Sequence, residues 1–186
     1  MTADQYACTA AVLERTPDAA VVSNLGVASY VLAAVEERAR NVYLWGSMGV
    51  TTPVGLGLAL STSDPVTVLD GDGSILMGLG ALSTVGGIDP SNLAIVVFDN
   101  GGYETTGGQR SHGGTTDEAA VATACGLATW TAETDEAFAD AYAAAVAHDG
   151  AALVVCTVDP VDPEERPPFD FAHVTRRARE AIAGDE

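Results

Sequence analysis

The chain has 186 residues, 47% of them apolar, which suits one globular domain with a single sizeable core and excludes a disordered segment. It carries 26 acidic side chains against 8 basic ones, all arginine, for a formal charge of −18. That balance excludes nucleic acid and anionic membrane surfaces as partners, since both need lysine and arginine, and no apolar run is long enough to span a bilayer.

Thr2 and Gln5 form a capping-box pattern that opens a first helix through about Arg15, broken by Pro17-Asp18. The stretch from Met1 to Glu14 has no basic cluster before an apolar run, so it does not read as a secretory leader, and a cytoplasmic location is expected. Ala20 to Ser23 is a short buried strand. Val27 to Arg40 is helical, with Tyr30, Val31, Ala34 and Val35 on one face. Val42 to Trp45 is a second strand, Pro53 to Leu60 belongs to a small-residue helix, and Val66 to Leu69 is a third strand ending at Asp70. Ile75 to Val85 reads as helix and Leu93 to Phe98 as a continuously apolar strand. Asp117 to Cys125 and Thr134 to His148 are further helices, and Ala152 to Val158 is the last strand. Strands alternating with helices, and apolar throughout, predict an α/β, doubly wound parallel sheet over residues 1–158. The tail, 159–186, begins with a Pro-rich run that suits neither a sheet nor a helix interior, and should cross the surface before a short helix from about Phe171.

Cys8, Cys125 and Cys156 are odd in number and widely spaced, which suggests reduced core thiols rather than a zinc or redox pair. The charge suggests a cytoplasm rich in salt: at about 1 M salt the screening length falls to roughly 3 Å and self-repulsion largely vanishes.

Three glycine-rich turns follow three predicted strands, namely Gly46-Ser47-Met48-Gly49, Gly71-Asp72-Gly73-Ser74 and Asp99-Asn100-Gly101-Gly102-Tyr103. In a doubly wound sheet such turns gather at the carboxyl edge, where ligands bind. Gly71 and Gly73 let a ligand approach the backbone, and the N–H groups of Gly73 and Ser74 at a helix start suit a phosphate. Asp72 offers a carboxylate, and Asn100, 28 residues later, an amide oxygen. With a backbone carbonyl, two diphosphate oxygens and a water, they make the hard-oxygen octahedron that magnesium requires. Each turn alone is a common tight turn; the pair at this spacing is more specific.

Gly71-Asp72-Gly73-Ser74 followed by Asp99-Asn100 resembles the signature of thiamine-diphosphate-dependent enzymes. Leu44 to Gly49 looks like their cofactor loop. Val22 to Gly26 and Thr105 to Gln109 narrow the resemblance to the sulfopyruvate and phosphonopyruvate decarboxylases, over about Thr16 to Val158.

The resemblance implies two cofactors, thiamine diphosphate and Mg2+. Asp72, Asn100 and the carbonyl of Gly102 would hold the metal, and Gly73 and Ser74 the diphosphate, with Gly71, Ser47 and Tyr103 alongside. The carbonyl of Gly46 would accept from the 4'-amino group. The Met48 N–H would reach the pyrimidine, and its side chain would wedge under the cofactor, where simple core packing is the alternative. The family also needs a glutamate against the pyrimidine. Glu14, Glu36 and Glu37 read as solvated helix faces, so an alpha subunit carrying the pyrimidine-binding module and that Glu is the expected partner.

The implied reaction converts a small anionic 2-oxo acid, 3-sulfopyruvate or a relative, to an aldehyde and carbon dioxide. Glu104, Arg110 and His112, just past the metal turn, are the further catalytic candidates: Arg110 to pair with the anionic tail, His112 to relay a proton. For the two loop residues an ordinary surface loop is the alternative. Two other functions remain open, a carboligase of the acetolactate-synthase kind and a non-catalytic cofactor-binding module.

Overall fold

The computed structural model describes residues 2–183. Eight helices and eight strands alternate along them, with two short 3-10 turns in one loop. Strands β1 (Ala20–Ser23), β2 (Asn41–Tyr43), β3 (Val66–Gly71), β4 (Leu93–Asp99), β7 (Ala128–Ala132) and β8 (Ala152–Thr157) form one wholly parallel sheet in the order β2-β1-β3-β4-β8-β7. Strands β5 (Gly102–Tyr103) and β6 (Gln109–Arg110) form a small antiparallel hairpin outside it.

The central strands are buried on both faces, as their unbroken apolar runs require. One face packs against α1 (Gln5–Arg15), α2 (Val27–Val35) and α7 (Asp135–Ala147), through Val12, Leu32, Phe138 and Tyr142. The other is covered by α3 (Thr51–Ala59), α4 (Asp72–Met77), α5 (Ala81–Ile88) and α6 (Glu118–Ala124), through Leu56, Ile75, Leu82 and Ala122. The chain thus winds both ways from the β1–β3 junction, the switch point at which such sheets open a crevice.

Several boundaries differ from the sequence reading. Asp4, not Thr2, caps α1, its carboxylate accepting from the Tyr6 N–H at 2.8 Å. The second helix stops at Val35, five residues before Arg40. There Arg38 donates to the carbonyls of Pro17 (2.8 Å) and Ala19 (3.1 Å), and Asn41 to that of Glu36 (2.9 Å), so side chains fix a turn in place of another helical turn. Glu37 is not simply solvated: it accepts from Tyr43 and pairs with Arg177. The segment read as one helix from Ile75 to Val85 is two, broken at Gly78-Leu79-Gly80. Strand β7 was not anticipated. It lies at the sheet edge, mostly half-buried, and its Ala-Thr-Trp-Thr-Ala run has little apolar character.

Cys8 and Cys156 are buried with sulfurs 4.0 Å apart, and Cys125 is half-buried; all three are free thiols. Beyond β8, the tail lays Phe169 edge-on against Trp45 (centroids 4.5 Å apart) and Arg166 over the ring of Tyr30 at 4.0 Å. Helix α8 (Phe171–Ala183) then crosses edge strand β2: Val174 joins the core on one face, and Ile182 packs against the other. The last tail residues, 184–186, lie outside the described part.

Candidate cofactor site

The carboxyl edge of the sheet gathers the turns. Gly71 pairs in register with Phe98, so Asp72 and Asp99 leave β3 and β4 side by side. One cleft is lined by Met48, Gly71, Asp72, Gly73, Ser74, Asn100, Gly102, Tyr103 and Glu104, together with Gln5, Asn24 and Asp70. Gly46 and Ser47 are not among its lining; Ser47 is exposed, in a left-handed conformation with φ 65°. Arg110 and His112 are not brought there either. They line a separate hollow with Thr2, Asp99 and Asp159, which meets the cleft only at Asn100. In the hairpin Arg110 pairs with Gly102 and the Ser111 N–H donates to the Gly101 carbonyl at 3.0 Å, and the chain then runs against Asp72 through Ser111 and the buried Gly113.

Asp72 opens α4 and is 2% exposed. Its Oδ2 accepts from the Ser111 hydroxyl. Burial holds its carboxyl above the ordinary range; the Ser111 hydrogen bond opposes this and the neighbouring Asp99 reinforces it. Two steps upstream, Asp70 is fully buried at the end of β3. Burial pushes its carboxyl up to about 6, against hydrogen bonds from Ser74, the Gly71 N–H and Thr52. Asn100 is held by its own turn, its Oδ1 accepting from the Gly102 N–H at 3.0 Å.

Close backbone approaches set the walls. A β-carbon on Gly73 would fall 2.2 Å from Tyr103 Cε1, so the tyrosine ring lies directly on that glycine. The Met48 turn is docked onto α4 in the same way. The Gly49 N–H donates to Ser74 Oγ at 3.1 Å, and a β-carbon on Gly78 would meet the Gly49 oxygen at 2.0 Å. This contact carries Met48 to the cleft.

Asn24, Asp70 and Gln5 were not anticipated as lining residues. Asn24, 7% exposed, ends β1; it accepts from Thr51 Oγ1 at 3.3 Å, and its N–H donates to the Leu69 carbonyl at 2.8 Å. A polar residue directly after a strand was its signal. Asp70 reads in the sequence only as the end of the third strand, and Gln5 comes from a helix far away in sequence.

The donor set fits a hard cation. Buried Asp72, with Asp99 beside it and a neutral amide at Asn100, offers oxygen ligands at a spot where negative charge is poorly solvated. Among the described residues no three Asp, Glu, His or Cys side chains gather into a cage. A cation there would therefore draw on neutral oxygens and on its ligand, as magnesium does in phosphate sites.

A parallel sheet whose strand-end turns converge on an acidic, glycine-walled cleft at its switch point defines a phosphate-cofactor module of the α/β class. The chain belongs to the family of the thiamine pyrophosphate enzyme, C-terminal TPP binding domain, which matches residues 21–156. It is 46% identical to phosphonopyruvate decarboxylase of Streptomyces viridochromogenes over 165 residues, 87% of this chain but only 42% of that protein. It is 43% identical to sulfopyruvate decarboxylase subunit beta of Methanocaldococcus jannaschii over 141 residues, 75% of each. The fold matches a putative thiamin diphosphate-dependent enzyme from Mycobacterium smegmatis (TM-score 0.73, 22% identity, 86% of this chain and 32% of the other). It also matches benzoylformate decarboxylase from Polynucleobacter necessarius (TM-score 0.71, 23% identity, 85% and 34%). Among the described residues no helix is long and apolar enough to cross a membrane.

Proposed function

We propose that this chain is the diphosphate-binding, beta-type subunit of a thiamine-diphosphate-dependent decarboxylase acting on 3-sulfopyruvate or a similar small anionic 2-oxo acid. The observation that carries this reading is the cleft itself. It sets the Asp72 carboxylate, the Asn100 amide and the Gly73–Tyr103 contact together within a chain that matches a sulfopyruvate decarboxylase beta subunit over three quarters of its length.

In this reading residues 1–158 form the cofactor unit and the tail, 159–186, braces it. Asp72, Asn100 and the carbonyl of Gly102 hold Mg2+, while Gly73 and Ser74 present N–H groups to the diphosphate. The cleft lining contains no arginine, histidine or lysine but does contain Asp70, Asp72 and Glu104. A diphosphate would therefore meet net repulsion without a divalent cation between them, which supports magnesium as a partner of the cofactor. Thiamine diphosphate, held there, would supply a nucleophilic carbon and a cationic thiazolium ring able to take up the electron pair of a decarboxylation. Met48 bounds the cofactor from the β2 side, and Glu104 stands at the cleft where a proton must be delivered. Arg110, to pair with the substrate's anionic tail, and His112, to relay a proton, line the neighbouring hollow that meets the cleft at Asn100. The activating glutamate and the pyrimidine-binding module come from an alpha subunit, as the name "subunit beta" of the relatives suggests. The −18 charge supports a salt-rich cytoplasm as the setting.

The test is carbon dioxide release by the native assembly, purified in high salt with thiamine diphosphate and magnesium and offered sulfopyruvate, phosphonopyruvate or pyruvate. Release from one anionic-tailed acid, abolished by Asp72→Ala, is the expected result. Joined keto acids in place of carbon dioxide and aldehyde would replace the reading with a carboligase. Bound cofactor without any turnover would leave a non-catalytic module.

A further inference from the structure

Asp70 borders the cleft yet is 0% exposed, and among the described residues no cation pairs with it. An unpaired carboxylate is costly to bury, and an apolar side chain would sit at the end of β3 with less loss of stability. The stability of the sheet therefore does not account for it. Its donors do. The Ser74 hydroxyl on α4, the Thr52 hydroxyl on α3 (3.4 Å to Oδ2) and the Gly71 N–H (3.0 Å to Oδ1) all converge on this one side chain. Ser74 and Thr52 are themselves buried, so their hydroxyls depend on protein partners.

Both hydroxyls lead to Met48. A hydroxyl has one proton to give. Ser74 gives its proton to Asp70, and its oxygen accepts from the Gly49 N–H at 3.1 Å. Thr52 stands in the first turn of α3, whose N-cap, Val50, has no capping side chain. That turn is anchored by its two threonines instead, Thr52 to Asp70 and Thr51 to Asn24 Oδ1 at 3.3 Å. The segment that carries Met48 is thus tied to Asp70 at the next residue, through Ser74, and again at Thr52. These ties hold an unusual backbone. Ser47 (φ 65°) and Gly49 (φ 84°) flank Met48 in left-handed conformations, and the Val50 N–H closes the turn on the Ser47 carbonyl at 3.2 Å. A left-handed serine persists only where its surroundings fix it. We infer that Asp70 is the positioning residue for Met48: through Ser74 and Thr52 its carboxylate sets the turn that presents the Met48 side chain to the cofactor, without touching cofactor or substrate itself. This inference rests on the reading of the chain as the cofactor-binding subunit, and adds what holds Met48 in place there.

The test uses the complete chain in its native assembly, purified in high salt with thiamine diphosphate and magnesium and isotope-labelled in its methionine methyl groups. The Met48 signal is assigned by its loss in Met48→Leu. Asp70→Leu should displace that signal and split it into several. Ser74→Ala and Thr52→Val, which cut one tie each, should displace it less. Tyr142→Phe removes a buried hydroxyl bonded to Thr16 and Thr67 on the other face of the sheet, and should lower the melting temperature with the Met48 signal unmoved. A Met48 signal unmoved in the three Asp70, Ser74 and Thr52 variants overturns the inference, as does an equal displacement in Tyr142→Phe. If Asp70→Leu does not fold, Ser74→Ala and Thr52→Val decide alone. Carbon dioxide release gives a second readout. Asp70→Leu should lower kcat about a hundredfold, with KM for the keto acid within about threefold of wild type. In a Met48→Ala background it should lower kcat no further, since both changes remove one arrangement; losses that multiply overturn the inference. No release from wild type, with the Met48 signal displaced in the variants, leaves the positioning role standing and removes the decarboxylase reading. Release from wild type with an unmoved Met48 does the opposite.

Discussion

The Tyr103 ring rests on the bare Cα of Gly73, with 2.2 Å between its Cε1 and the point where a β-carbon would stand. The first turn of α4 and the hairpin that begins at β5 are therefore in direct contact, and the site that both supply has little tolerance for added volume.

Gly73→Ala should displace the Tyr103 ring and with it the Gly102 carbonyl. Cofactor affinity, measured by titration calorimetry in the presence of magnesium, should fall at least about tenfold, or roughly 1.4 kcal/mol. Adding Tyr103→Ala should recover part of it. No recovery would mean that the methyl group blocks the cofactor directly.

At Gly78 the obstacle is the backbone oxygen of Gly49, which cannot rotate away. Gly78→Ala should therefore cost about 2 kcal/mol of overpacking and lower the melting temperature by roughly 4–8 °C. Gly57, which has nothing within 4 Å of its β-carbon position, is the matched control and should tolerate alanine.

Among the described residues only Arg40–Asp64 and Arg177–Glu37 form ion pairs, so most of the 26 acidic side chains have no cationic partner. Stability should climb with KCl, the melting temperature rising by more than about 5 °C between 0.1 and 2 M as repulsion is screened. Sucrose, which screens nothing, should reproduce only part of that rise. An equal response to both would remove charge as the cause.

Phe169 is 72% exposed yet meets Trp45 edge-on. Phe169→Ala should cost about 1 kcal/mol, the range of an aromatic pair. In a Trp130→Phe background it should also shift the emission of Trp45, which reports the tail directly.

The site was legible in the sequence where turn chemistry marks strand ends. Gly71-Asp72-Gly73 and Asp99-Asn100 announce themselves because glycine and short polar residues are needed there whatever the surrounding fold. Strand β7 was not legible, because an edge strand half in solvent has neither a continuous apolar run nor a strict alternation to detect. The α4–α5 break was missed for another reason. Ile75, Leu82 and Val85 keep helical spacing across it, and the need for Gly78 comes from Gly49, 29 residues upstream. Two-residue strands such as β5 and β6 carry no periodicity, so the hairpin that holds Arg110, outside the cleft lining, could not be anticipated from spacing. Asp70 is a more general case: at the end of an apolar strand, a carboxylate that lines a cleft and one that merely ends the strand look alike.

Helix α8 has a role beyond bracing the cofactor unit. By crossing β2 it blocks the outer margin of a parallel sheet whose backbone donors and acceptors would otherwise stand ready to recruit another strand. In concentrated salt, where electrostatic repulsion no longer keeps chains apart, that physical cover is what remains to prevent sheets from growing end to end. A chain cut after β8 would meet this hazard as soon as it left the ribosome, and its failure would be seen as precipitation before any question of turnover arose.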